Sequence, residues 1–158
     1  MNNVIKLGEQ LINLKQTITS AESLTAGLFL SALGNVPGIS AVLPGGFVTY
    51  SAETKASMVD VPLDLIADKG VVSAEVAKAM ASGAQTKLDT SWAISFTGVA
   101  GPGPADGQPA GTVFIGIAQP NHSVMSRKFS FTGDRQAVRE QAIEAAAEWL
   151  LATLEINN

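Results

Sequence analysis

A chain of 158 residues with 46% hydrophobic and 15% charged residues has enough apolar material for one packed globular domain spanning 1–158, and its composition excludes a disordered chain. With no cysteine the chain lacks the material for disulfides, thiolate metal sites or a cysteine nucleophile, and the single histidine His122 argues against a His-rich metal site or a Ser–His pair. A net charge of −4 argues against a general nucleic-acid surface, which needs clustered Lys and Arg, and no apolar run approaches the roughly 20 residues required to cross a bilayer. The segment Met1 to Lys6 has no basic start followed by an apolar stretch, so a cytoplasmic protein with neither nucleic-acid nor membrane partner is expected.

Asn2 or Asn3 caps a predicted first helix through about Leu14, with Ile5, Leu7, Leu11, Ile12 and Leu14 mostly on one face. Thr17 to Ser20 reads as a short buried strand, and a second helix is predicted from Leu24 to Leu33, closed by Gly34. Gly45 to Tyr50 reads as a strand entered through glycines, followed by a helix-favouring segment from Ala52 to Met58. Pro62 to Lys69 is predicted as a short helix stopped by Gly70. Ser73 then caps a longer helix through about Leu88, with Val76, Ala77, Met80 and Ala84 facing inward. Trp92 to Thr97 is the next strand, and the glycine- and proline-rich stretch from Gly98 to Gly111 is a candidate functional loop. Thr112 to Ala118 and Ser123 to Phe131 form a hairpin about a turn holding His122, read as a solvated turn residue, and Asp134 starts a last helix reaching Leu154. Helices alternating with strands and then a hairpin predict an α/β fold, a three-layer α/β/α sandwich around a mixed, mostly parallel sheet.

The chain contains neither G-x-x-x-x-G-K-[ST] nor G-x-G-x-x-G, and neither the G-x-S-x-G elbow nor an S-x-x-K pair. Ser23 lies between a predicted strand and a predicted helix, where a hydroxyl can face a ligand; a plain N-cap serine fits the same position. Lys55 lies on the helix after the second strand and reaches the same crevice if the two strands are neighbours; an exposed lysine is the alternative. The Thr97-Gly98-Val99-Ala100-Gly101-Pro102 turn follows a strand and is a candidate to offer N–H groups and a hydroxyl to an anionic or amide ligand; a plain tight turn is the alternative. Arg135 and Arg139, four apart at a helix start, share a face and are candidates for an anion, or for surface pairing with Glu.

Taken together, Ala21-Glu22-Ser23-Leu24-Thr25-Ala26-Gly27, Gly46-Phe47-Val48-Thr49-Tyr50-Ser51, the Thr97 to Pro102 turn, Gly111-Thr112-Val113 and Gly133-Asp134-Arg135 resemble the CinA C-terminal domain family, in the family's order and over nearly the whole chain. The resemblance is strongest to nicotinamide-nucleotide amidases, which hydrolyse nicotinamide mononucleotide to nicotinic acid mononucleotide and ammonia in pyridine nucleotide recycling. It implies a Ser23 nucleophile, a Lys55 base and Tyr50 as relay or orienter. Thr25, Thr97 and Gly98 would line the pocket, and Arg135 or Arg139 would hold the 5′-phosphate. It also implies no cofactor, a small-molecule nucleotide substrate, a homo-oligomer, and an amidase-like domain that starts directly, without the further N-terminal domain many members carry. Leu24 and Ala26 stand where some members have Cys and Gly. An amidohydrolase acting on another carboxamide, or a nucleotide-binding module without turnover, are the competing expectations.

Overall fold

The computed structural model describes residues 2–157. Helix α1 (Asn2–Leu14) leads into strand β1 (Ile18–Glu22), helix α2 (Leu28–Leu33), a single 3-10 turn at Ile39–Ala41 and the short strand β2 (Phe47–Val48). Helices α3 (Ala52–Val59), α4 (Leu63–Lys69) and α5 (Ala74–Leu88) precede strand β3 (Trp92–Gly98), the hairpin β4 (Thr112–Ala118) and β5 (Val124–Ser130), and helix α6 (Arg135–Asn157). The five strands form one mixed sheet in the order β2-β1-β3-β4-β5. Its β2-β1-β3 half is parallel and its β3-β4-β5 half antiparallel.

The two faces of the sheet carry different side chains, because alternate residues of a strand point to opposite sides. Ile94 and Phe96 of β3 and Ile115 and Ile117 of β4 join the larger core with α1, α2 and α6, through Leu7, Leu11, Phe29, Leu33, Ile143 and Leu150. The other face carries Ala93 and Ala118, which meet Val76, Met80 and Ala84 of α5 in a second cluster with Val59 of α3. The result is the three-layer α/β/α arrangement. Among the described residues no helix is long and apolar enough to cross a membrane.

Local signals account for most boundaries. Ser73 caps α5 by accepting the Val76 N–H at 3.2 Å, and Asp134 accepts the Ala137 N–H at 2.8 Å at the start of α6. Ser51 and Thr54 form a capping box that fixes where α3 begins, and hence the phase at which Lys55 leaves it. Three expectations change. The sheet, expected to be mixed and mostly parallel, is mixed but divided evenly between parallel and antiparallel pairings, because the β4–β5 hairpin joins β3 in the antiparallel sense. Helix α2 starts at Leu28 rather than Leu24, because Ala26 (φ 48°) and Gly27 (φ 93°) take left-handed conformations that no helix continues. The strand expected over Gly45 to Tyr50 shrinks to Phe47–Val48, an edge with a neighbour on one side only.

Candidate active site

Strands β1, β2 and β3 run parallel, so their carboxyl ends lie along one edge of the sheet. That edge is where open α/β sheets place ligands. The segments leaving those ends carry Ser23 after β1, Thr49 and Tyr50 after β2, and Gly98 at the end of β3. A cavity of about 340 Å³ opens there, lined by Ser23, Tyr50, Lys55, Thr97, Gly98 and Arg135 among others. This volume falls in the range used by small-molecule sites.

At its floor the Lys55 Nζ donates to Ser23 Oγ at 3.1 Å and to the Thr49 carbonyl at 2.8 Å. Lys55 is 1% exposed and Ser23 8%, so the pair is shielded by protein. Desolvation by burial pushes the Lys55 ammonium from its ordinary 10.5 down to about 8. Neither a carboxylate nor any other charged group is among its hydrogen-bond partners. Hence Ser23 is not the N-cap of α2, and Lys55 is not a surface lysine.

The backbone around Ser23 is held from three sides. Ser23 gives its own N–H to the Phe96 carbonyl at 3.0 Å, tying the β1 exit to β3. The carboxylate of Glu22, wholly buried, accepts the Phe29 and Leu30 N–H groups at 3.0 and 3.1 Å and the Ser20 hydroxyl at 3.1 Å. It therefore caps α2 from the far side of the intervening turn, supplying the acceptor that a helix start requires. From α6, Arg139 donates through Nε to the Leu24 carbonyl at 2.9 Å and through its terminal nitrogen to the Thr25 carbonyl at 3.0 Å. With those carbonyls engaged, the left-handed Ala26 is kept in a conformation that costs an L-residue about 1 kcal/mol or more. The Leu24 and Thr25 N–H groups take no hydrogen bond among the described residues.

The expected site residues thus separate. Ser23, Tyr50, Lys55, Thr97, Gly98 and Arg135 line one cavity. The Tyr50 hydroxyl accepts from Arg135 at 2.7 Å rather than meeting Ser23 or Lys55, and Arg135 also donates to the Gly101 carbonyl at 2.7 Å. The lysine amine is oriented by the Thr49 carbonyl instead. Thr97 donates to the Val71 carbonyl at 2.6 Å, which fixes its hydroxyl on the cavity wall. Thr25 is wholly buried and outside the cavity lining, its hydroxyl without a partner among the described residues. Arg139 is likewise outside the lining, its guanidinium engaged with the turn that follows Ser23. Sequence reasoning missed Glu22, the Thr49 carbonyl and Asp106. Glu22 alone left a trace, as a carboxylate next to a buried strand. Among the described residues no three His, Asp or Glu side chains cluster as metal ligands would.

The sequence and the fold are similar to those of known proteins. The chain is 54% identical over 141 residues to a protein named as competence-damage inducible from Lactiplantibacillus plantarum, covering 89% of this chain and 34% of that one. A protein of the same name from Levilactobacillus brevis is 50% identical over 147 residues, covering 93% and 35%. The chain thus spans about a third of the length of the curated relatives it matches. Among solved structures, competence damage-inducible protein A from Klebsiella pneumoniae superposes with a TM-score of 0.92 at 31% identity over 98% of both chains. A CinA superfamily protein from Escherichia coli superposes at 0.89 with 32% identity, over 95% of this chain and 87% of that one. The family model for the CinA C-terminal domain matches residues 3–154, and the chain belongs to that family.

Proposed function

We infer that the chain is an amidohydrolase that cleaves the carboxamide of nicotinamide mononucleotide, with Ser23 as nucleophile and Lys55 as base. The observation that carries this reading is the shielded Lys55–Ser23 contact of 3.1 Å, in which the amine has lost much of its hold on a proton. A serine hydroxyl is a weak nucleophile at neutral pH until an adjacent base takes its proton, and a desolvated lysine is such a base.

In the first half-reaction neutral Lys55 takes the Ser23 proton as Oγ bonds to the carboxamide carbon. The tetrahedral oxyanion is received by the N–H of Leu24, which lines the cavity and takes no hydrogen bond among the described residues, whereas the Ser23 N–H is committed to Phe96. Lys55 then returns the proton to the leaving nitrogen, the C–N bond breaks, and ammonia departs from an acyl ester on Ser23. In the second half-reaction water attacks the ester carbon with Lys55 taking its proton, the bond from that carbon to Ser23 Oγ breaks, Lys55 passes the proton to Oγ, and the nicotinic acid nucleotide leaves with Ser23 and neutral Lys55 restored.

Arg135 supplies the contact for a phosphate. Its guanidinium carries five N–H donors, and donation to Tyr50 and Gly101 leaves others for an anion while fixing the direction of the fork. Tyr50, 54% exposed, supports that fork from the cavity rim. Arg135→Ala is expected to raise KM for nicotinamide mononucleotide about tenfold or more with little change in kcat, and to leave the unphosphorylated riboside unaffected, as ammonia-release kinetics will read. Equal losses on both compounds would redirect the proposal to a carboxamide without a phosphate.

A further inference from the structure

Among the described residues Asp106 is the one acidic side chain lining the cavity, and neither half-reaction uses it. It stands on the loop between β3 and β4, in a left-handed conformation (φ 51°) followed by Gly107 (φ 71°), within a tight turn closed by paired hydrogen bonds between Ala105 and Gln108. Its Oδ2 accepts the Val72 N–H at 2.9 Å, and a Cβ on Gly70 would lie 2.7 Å from that oxygen, so the carboxylate rests directly on the Gly70 to Val72 backbone. Oδ1 takes no hydrogen bond among the described residues. The neighbouring wall is anchored in turn by Thr97 on the Val71 carbonyl.

The cavity that Ser23 lines therefore also presents a carboxylate held on the Val72 N–H and a guanidinium held on Tyr50 and Gly101, those of Asp106 and Arg135. A nucleotide whose base is a pyridinium carries the matching pair, a permanent positive charge on the ring and a negative phosphate. An uncharged ring of the same shape offers Asp106 nothing in exchange for water lost from its carboxylate. We propose that Asp106 is a specificity-determining residue that selects cationic pyridinium carboxamides over uncharged aromatic carboxamides of the same shape. This rests on the amidase reading of the same cavity.

The test uses binding, so that it is independent of turnover. Calorimetric titration of the Ser23→Ala protein, with and without Asp106→Asn, compares nicotinamide mononucleotide with benzamide riboside 5′-phosphate, in which carbon replaces the charged ring nitrogen. Asn keeps an oxygen for the Val72 N–H and removes only the charge. The pyridinium nucleotide should bind about fivefold more weakly to the Asn variant at low ionic strength, less so at high salt, with the benzamide isostere unchanged. Equal weakening of both ligands, no change in either, or failure of the pyridinium nucleotide to bind at all would overturn the assignment. Ammonia release by the parent protein is scored separately. Its absence alongside intact charge selectivity would remove the amidase reading and leave the selectivity in place.

Discussion

Burial makes Lys55 useful. An ammonium placed among apolar and neutral groups loses hydration that the Thr49 carbonyl and Ser23 hydroxyl replace only in part, and the proton is held more weakly, near 8 instead of 10.5. In the proposed mechanism the active form is the neutral amine, so activity is gained as the proton leaves. We expect kcat/KM to rise with pH along a single limb with a midpoint near 8 and to level off above it. Lys55→Arg, whose guanidinium stays protonated, should lack that limb together with most of the activity. A parent profile flat from pH 6 to 9 would contradict Lys55 as base. None of this was legible from Lys55 itself, since a lysine on a short helix is ordinarily exposed. Its position after the second strand made a shared crevice conditional on strand order, the resemblance alone gave it the role of base, and its contact with Ser23 bridges 32 residues of sequence.

At the scale of elements, the turn between β1 and α2 is the part that the sequence disguised. Apolar periodicity runs through Leu24 to Leu33 and reads as one helix, whereas the left-handed Ala26 and Gly27 break it and leave the Leu24 and Thr25 N–H groups open. The spacing of Arg135 and Arg139 was read correctly as one helix face, yet the two have separate tasks. One reaches the cavity, and the other is engaged with the turn that follows Ser23. The difference arises from which part of α6 lies over β1's exit, a tertiary fact absent from a four-residue spacing. Arg139→Lys keeps the charge and loses the two-pronged contact with Leu24 and Thr25. It should lower kcat about tenfold or more with KM nearly unchanged, and reduce stability by about 1–2 kcal/mol in urea unfolding. A variant that raises KM instead would make Arg139 a phosphate ligand after all. Helix packing sets the other side of the pair. A Cβ on Gly83 of α5 would lie 1.7 Å from the Val59 carbonyl, so only glycine lets α3 seat Lys55 at this depth.

For the whole molecule, the alternation of helices and strands was legible because periodicity, caps and glycines reported it directly, as with Ser73, Asp134 and the β4–β5 hairpin. Strand order was not, since nothing in a strand's own residues says that β1 lies between β2 and β3. That order brings three parallel carboxyl ends together and makes a site from residues as distant as Ser23 and Arg135. The buried lysine also imposes a cost on the entire fold. Its folded pKa of about 8 lies below the 10.5 of the unfolded chain, so between these values the unfolded state binds the extra proton and stability rises with pH. Below about pH 8 the penalty is present in full; it is relieved as pH rises toward 10.5. Relative to Lys55→Met, which lacks this titration, the parent should gain ~3 kcal/mol in urea unfolding between pH 7.5 and 10.5. Parallel pH dependence of the two proteins would mean that Lys55 is solvated in solution.

The central claim is that Ser23 and Lys55 together hydrolyse a nucleotide carboxamide, and ammonia release from nicotinamide mononucleotide by the parent, Ser23→Ala and Lys55→Ala proteins tests it most directly. The account predicts turnover by the parent and a loss of at least about 10³-fold in each variant, with both variants still folded. Near-parental turnover in either variant, or none by the parent, would contradict it.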